Sequence, residues 1–350
     1  MPPERKAGPG PGLVDWIAAN VTFRPANSAE AMYDQMESQS GEQLPVIYVP
    51  FDGRNRGHFT DRGQILDFAG HAGGGRVLDF GPGDGWPSLL MASMVNEVVG
   101  VDGSRKRFEV CTTNASRLGL SNVNFVHVPP GQPLPFEEGS FDGVTAASSV
   151  EQTPDAYATL REFYRVLKPG GALRMSYESL GYYVGESACA ATLQPYDTER
   201  GPGSSLWVYD RDFGAERVTH YVLEFDLSLP EVEQLLTRHE AETSAEGLDQ
   251  AVLSDLRPHI VGAVTWTGQH PSCNTLLRWL PEIGFSSARA TYDGGWFARR
   301  LFDRLGESRR PTEMAEVDEM LRPLVEVVVT MDTPRRGGSR EWDPWVTAAK

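Results

Sequence analysis

Arg76-Val-Leu-Asp-Phe-Gly-Pro-Gly-Asp-Gly85 is the stretch whose reading decides the fold. Its first five residues are a short apolar strand, and the rest is a turn with glycine at every second position. Glycine lets a backbone turn sharply and approach a ligand closely, beside the start of the helix expected near Pro87–Val95. A second strand, Glu97–Asp102, follows, then a helix over Arg105–Leu118, a third strand at Val123–Val128 and a fourth at Gly143–Ala147. Leu160, Phe163, Tyr164 and Leu167 recur at helical spacing within Ala156–Leu167. Lys168-Pro-Gly-Gly171 ends that helix and turns into a fifth strand, Ala172–Tyr177. Strands alternating with helices at this spacing predict an α/β fold, a parallel sheet with helices on both faces.

The acid closing the second strand, Asp102, stands 19 positions after Gly83. A carboxylate there is placed to accept from both ribose hydroxyls of a nucleoside ligand. A dinucleotide fold would want a third glycine three places after Gly83, where this chain has Trp86.

Outward from this core the alternation breaks. Residues 181–272 read as an insertion, with a strand at Val218–Phe225 and a helix opened by the capping box Ser228-Leu-Pro-Glu231. Alternation resumes with a helix at Asn274–Ile283, a strand at Phe285–Tyr292, a helix near Trp296–Leu305 and a last strand at Leu324–Met331. Upstream, helical pieces are expected at Leu13–Ala19 and Ala29–Met36, and Asp61-Arg-Gly-Gln64 reads as a capping box opening a helix toward the first strand. The domains expected are an N-terminal tail and helical cap segment (1–70), a ligand-binding core (71–180), a cap insertion (181–272) and the C-terminal part of the core sheet (273–350).

Composition narrows the function. The 350 residues are 40% hydrophobic and 23% charged, a globular balance. A net charge of −16 opposes binding to a phosphate backbone, which needs clustered cations, so nucleic acid is excluded. Apolar runs such as Leu89–Val95 stop far short of the roughly 20 residues of a membrane span. Cys111, Cys189 and Cys273 are too scattered for a disulfide framework or a metal knuckle. A cytoplasmic address is expected, with no metal.

Val77-Leu-Asp-Phe-Gly-Pro-Gly-Asp-Gly85 resembles the first motif of class I S-adenosylmethionine-dependent methyltransferases. Phe136-Glu-Glu-Gly-Ser-Phe-Asp-Gly-Val144 and Leu160-Arg-Glu-Phe-Tyr-Arg-Val-Leu-Lys-Pro-Gly-Gly171 resemble the branch typified by ubiquinone and menaquinone biosynthesis methyltransferases. The resemblance covers residues 70–180 well and 274–332 loosely. It implies a Rossmann-like seven-stranded, mostly parallel sheet whose last strand is antiparallel, with S-adenosyl-L-methionine as cofactor over the first two strands. Carried over residue by residue, Asp79, Gly81, Gly83 and Gly85 line the methionine part, Asp102 holds the ribose, Gly103 lies near adenine and Ser148 faces the methionine end. Two departures stand out. Pro130-Gly-Gln132 replaces the usual adenine-binding Asp, leaving backbone groups or Gln132 for that contact. Val150-Glu-Gln-Thr-Pro-Asp155 supplies no histidine where the family often has one.

On the acceptor side, Tyr48–Arg62 is dense in polar and aromatic groups, and such loops often carry function. Arg54, Arg56 and His58 are candidates to bind an acceptor carboxylate, with surface ion pairs as the plain alternative. Tyr33 is a candidate to close over the cofactor, and Tyr183 to face the same crevice; for Tyr33 a place in an amphipathic core is the alternative. An oxygen or carbon acceptor calls for a base, for which His58, Glu151 and Tyr177 are the candidates. A thioether needs none, so S-methylation of a small thioether carboxylic acid, as in dimethylsulfoniopropionate-type pathways, is one specific option. The expected activity is methyl transfer to a small-molecule acceptor, with a homodimer as one option for the assembly, under a cap formed by the N-terminal segment and the insertion. The competing reading is a non-catalytic module that binds the cofactor.

Overall fold

The computed structural model of the chain describes residues 12–25, 51–177, 180, 188–198, 201–243, 245–333 and 345–350. Helix α1 (Leu13–Asn20) and the two-residue strand β1 (Arg24–Pro25) come first. Helix α2 (Arg56–His71) leads into β2 (Arg76–Phe80), α3 (Ser88–Met91), β3 (Glu97–Asp102), α4 (Arg105–Arg117), β4 (Val123–His127), β5 (Phe141–Ala147), α5 (Ala156–Val166) and β6 (Leu167–Ser176). Then follow β7 (Cys189–Thr198), β8 (Gly201–Asp212), β9 (Arg217–Phe225), α6 (Leu229–Arg238), α7 (Gln250–Leu256) and β10 (Ile260–Gln269). Helix α8 (Cys273–Ile283), β11 (Ser286–Thr291), α9 (Gly294–Arg304), α10 (Met314–Val328) and β12 (Trp345–Ala349) complete the described elements.

The chain divides into two compact units, residues 42–182 with 271–350, and residues 1–41 with 183–270. The larger unit holds a seven-stranded sheet in the order β11-β12-β6-β5-β2-β3-β4. Strands β6, β5, β2, β3 and β4 are mutually parallel, whereas β12 runs antiparallel to both β6 and β11. Alternate side chains of each strand face opposite layers. Leu78, Val99, Val144 and Leu173 pack with Leu160 and Phe163 of α5 and Leu276 and Leu280 of α8. On the other face Val77 and Val98 meet Ile65 and Phe68 of α2, Leu89 and Met91 of α3, and Ala115 of α4. Both faces are therefore covered, as a parallel sheet requires.

Three expectations are corrected. The helix before β2 opens at Asn55, whose side-chain oxygen accepts from Gly57 N–H at 2.9 Å, so Asp61 lies inside it rather than capping it. Residues 56–71, expected in the N-terminal cap segment, thus form a helix of the larger unit. Leu324–Met331 is not a strand: α10 runs to Val328, burying Val317, Leu321, Val325 and Val328 at helical intervals despite Pro323. Its Val-rich composition favours a strand, but burial at i, i+4 and i+8 favours the helix. The antiparallel strand is β12 instead. Lys168–Gly171 turns as read, with Gly170 at φ +81°: these residues bulge between the β5 partners Leu167 and Ala172 within β6, and Lys350 N–H donates to the Gly171 carbonyl at 2.9 Å.

The smaller unit is an antiparallel sheet, β10-β9-β8-β7, with β1 added in parallel beside β10. Helices α1, α6 and α7 cover one face through Leu13, Ile17, Val232, Leu236 and Val252, packed on Leu206, Val208, Leu223 and Phe225. The capping box of α6 forms as read, with Glu231 accepting from Ser228 N–H at 2.8 Å. The opposite face carries Trp207, Tyr209, His220 and Trp266, with the His220 ring stacked on Trp266 at 4.5 Å. Burial, assisted by His270, pushes the His220 imidazole down to about 4, so it is neutral at pH 7.

Candidate cofactor and active site

Strand β2 delivers Asp79 to its carboxyl end on the face that packs against α2 and α3. Asp79 is fully buried; Ser88 Oγ donates to one carboxylate oxygen at 2.5 Å and Thr145 Oγ1 to the other at 3.1 Å. Burial pushes its carboxyl up to about 7 against the pull of those two hydroxyls. The acid sits beneath the turn and ties β2 to β5 and to the start of α3.

The turn is pinned by its own backbone. Gly81 N–H donates to the Val101 carbonyl at 2.8 Å, Gly85 N–H to Pro82 and Leu89 N–H to Gly85, each at 2.8 Å. Gly85 has φ +110°, and a Cβ there would lie 2.3 Å from Leu89 Cδ1, so only glycine closes the turn onto α3. Gly81 likewise backs onto Ser149. Gly83 differs: its φ is +60°, yet a Cβ would meet nothing within 4 Å. The tip of the turn is open where its ends are closed.

Asp102, at the end of β3, lies against this tip. Its Oδ2 accepts from Gly83 N–H at 3.1 Å and its Oδ1 from Ser104 N–H at 2.8 Å. Burial raises its carboxyl to about 6, opposed by those two backbone donors. Each carboxylate oxygen has a further lone pair, so two more donors can be accepted. From below, α4 grips the turn: Cys111 Sγ donates to the Gly83 carbonyl at 3.2 Å and Asn114 Nδ2 to the Asp84 carbonyl at 3.3 Å. Both residues are completely buried. Neither was expected in the site, although Cys-Thr-Thr-Asn at an i, i+3 interval on one helix face was the available signal.

The other cofactor candidates lie along the same edge. Gly103 follows Asp102, and its carbonyl accepts from His127 Nε2 at 3.0 Å. Ser148, exposed in a left-handed conformation with φ +49°, is held by its N–H to the Ser176 carbonyl at 3.0 Å. Its neighbour Ser149 donates to the Phe80 carbonyl at 2.7 Å and abuts Gly81, bringing the ends of β2 and β5 together. Gln132 stands on the loop after β4 with an exposed side chain, its N–H donating to Pro129.

The acceptor-side candidates divide. Arg54 pairs with Asp52 at 3.2 Å and Arg56 with Asp303 through two bonds of 2.8 Å, all four side chains largely exposed. In this structure both arginines make the surface ion pairs of the plain alternative. His58 Nδ1 accepts from Asp52 N–H at 3.1 Å, which places the ring proton on Nε2, and the ring stacks on Phe51. Tyr177 is buried in the core beside β6, and Glu151 is half-buried on the short 3-10 turn after β5. Tyr33 and Tyr183 lie outside the described residues, as does the helix expected at 29–36.

Residues 78–175 match the model of a methyltransferase domain. Over 112 residues the chain is 36% identical to an arsenite methyltransferase of Aquipseudomonas alcaligenes, covering 29% of this chain and 32% of that protein. Over 133 residues it is 33% identical to the demethylmenaquinone methyltransferase of Lactococcus lactis, covering 36% of this chain and 52% of that one. The chain thus spans between about a third and a half of the length of these curated relatives. Among solved structures, the CcbJ methyltransferase of Streptomyces caelestis is similar at 14% identity and a TM-score of 0.46, covering 83% of this chain and 94% of that one. Together with the turn, the closing acid and the strand order, the family match shows that residues 78–175 belong to the class I S-adenosylmethionine-dependent methyltransferases.

Proposed function

We propose that this chain catalyses methyl transfer from S-adenosylmethionine to a small-molecule acceptor. One observation carries the reading: a glycine turn open at Gly83, with the spare acceptor capacity of Asp102 3.1 Å away from that same residue. Gly83 leaves space for the cofactor's methionyl chain, and Asp102 would accept from its ribose hydroxyls. The cofactor supplies an electrophilic methyl group on a sulfonium. The chain's share of such an in-line displacement is to position the reactants and exclude water, which is where most of the acceleration lies. Cys111 and Asn114 serve that end by fixing the turn from beneath, so that its N–H and carbonyl groups are preorganised.

The acceptor atom is O, N, C or S. The S-methylation reading drew on an arginine clamp for an acidic acceptor, and with Arg54 and Arg56 paired to Asp52 and Asp303 nothing favours sulfur over the others. Titration calorimetry with S-adenosylhomocysteine tests the cofactor site. Asp102→Ala removes charge-assisted bonds and should lose about 1.5–3 kcal/mol of binding. Unchanged affinity in that variant would refute the assignment. Binding without methyl transfer to any of a panel of small thiols, phenols and amines would favour the non-catalytic module instead.

A further inference from the structure

Helix α2 runs antiparallel to β2, and its stripes are assigned by packing. Phe59 and Leu66 face Ala298, Phe302 and Val317, whereas Ile65, Phe68 and Ala72 face Val77 and Leu89. Asp61 precedes Ile65 by four residues and Phe68 by seven, so it belongs to the second stripe, the one on the Asp79 face of the sheet. The height follows from the helix rise. Ala72 packs against Gly143, which is level with Val77. Asp61 stands about 16 Å above Ala72 at ~1.5 Å per residue. From Val77 a strand climbs that height in about five residues, reaching the level of Pro82 and the glycine turn. The next residue agrees: Arg62 Nη1 reaches the Leu90 carbonyl at 3.4 Å, so this part of α2 lies beside α3, just past the turn.

Asp61 is half-buried and has no hydrogen-bond or ion-pair partner among the described residues. The nearest cation in sequence, Arg62, is committed to Asp318 through bonds of 2.5 and 2.7 Å. A half-buried carboxyl with no partner has the capacity to accept from a cation.

We propose that Asp61 receives the ammonium group at the methionyl end of the cofactor. The assignment rests on the cofactor site proposed above and adds a specific residue to it. Burial alone raises the carboxyl to about 6, and a cation beside it would return it to the ionised form.

Calorimetry with two ligands isolates this role. S-adenosylhomocysteine carries the ammonium; 5′-methylthioadenosine keeps the nucleoside and thioether but lacks the amino-acid end. Asp61→Asn should weaken S-adenosylhomocysteine at least ten-fold, leave methylthioadenosine within two-fold, and leave the melting temperature unchanged or higher. On the unaltered chain, the deamino analogue of S-adenosylhomocysteine should bind at least ten-fold more weakly than the parent, a measurement independent of the variant's folding. Equal losses for both ligands in Asp61→Asn, or full S-adenosylhomocysteine affinity in it, would overturn the assignment. A wild-type chain that binds neither ligand would instead overturn the cofactor site itself.

Discussion

Replacing Asp67 by Asn strikes the most deeply buried charge pair among the described residues. Arg174, on β6, and Asp67, on α2, both have fully buried side chains, joined by bonds of 2.8 and 2.6 Å. The guanidinium also donates to Thr291 Oγ1 at 2.6 Å and to the Tyr292 carbonyl at 3.0 Å, while Asp67 accepts from Gly294 N–H at 3.0 Å. One pair thus fastens α2, β6, β11 and the start of α9. Asn keeps the shape and removes the charge, leaving an uncompensated guanidinium in the core. Breaking one side of such a pair costs about 3–5 kcal/mol, whereas replacing both partners by apolar groups is often neutral. Urea denaturation at pH 7 should therefore show a loss of that size in Asp67→Asn and much less in the double variant Asp67→Leu, Arg174→Met. Burial works to raise the Asp67 carboxyl, but Arg174 and His71 outweigh it and hold it below its ordinary value. The pair's stabilisation is thus present above the unfolded carboxylate range near pH 4 and is lost as pH falls through the lower folded value. A loss below about 1 kcal/mol at pH 7 would refute the reasoning, because that is the worth of a solvated surface pair.

Two further outcomes follow from the turn. Gly85→Ala, which would drive Cβ into Leu89, should destabilise the fold, while Gly83→Ala, with open space at φ +60°, should cost about 1–2 kcal/mol of stability yet weaken S-adenosylhomocysteine more than ten-fold; thermal melts and calorimetry on both variants check this. Asp79, raised to about 7, makes folding less favourable as pH climbs from about 4 to 7, because the folded state alone keeps the proton. Asp79→Asn should flatten that part of the stability profile in urea titrations, and a profile parallel to wild type would contradict the assignment.

The core was legible because its signals are local. The strand Arg76–Phe80, the alternate glycines and the acid at Asp102 each constrain only a few residues, and the hydrogen bond between Gly83 and Asp102 joins them as the spacing implied. What escaped depends on contacts distant in sequence. Asn55 is an N-cap with no capping-box partner, and the better pattern at Asp61–Gln64 drew the helix start six residues late. Val317, Leu321, Val325 and Val328 have helical spacing, but the valine run between Leu324 and Val329 hid it. In the insertion β9 was the one strand read, beside the helix opened at Ser228, because the neighbouring strands gain their identity by pairing with it. Arg54 and Arg56 looked like ligands for want of any sign that Asp303, on α9, would meet one of them. The grip of Cys111 and Asn114 on the turn left only their i, i+3 spacing as a local signal, and it takes the packing of α4 beneath the turn to give that spacing a meaning.

The smaller unit draws its first helix from one end of the sequence and its sheet from far along it. Leu13 and Ile17 of α1 are buried against Leu206 and Leu223, and β1 completes its bridge only with Val264 and Thr265. A ribosome adding roughly 5–20 residues per second needs about 10–40 s to travel from Ile17 to Leu206. Throughout that interval the apolar side of α1 has no sheet to cover it, while the strands of the larger unit are emerging between. The docking of α1 is therefore a late event, which waits for a sheet made almost two hundred residues after it.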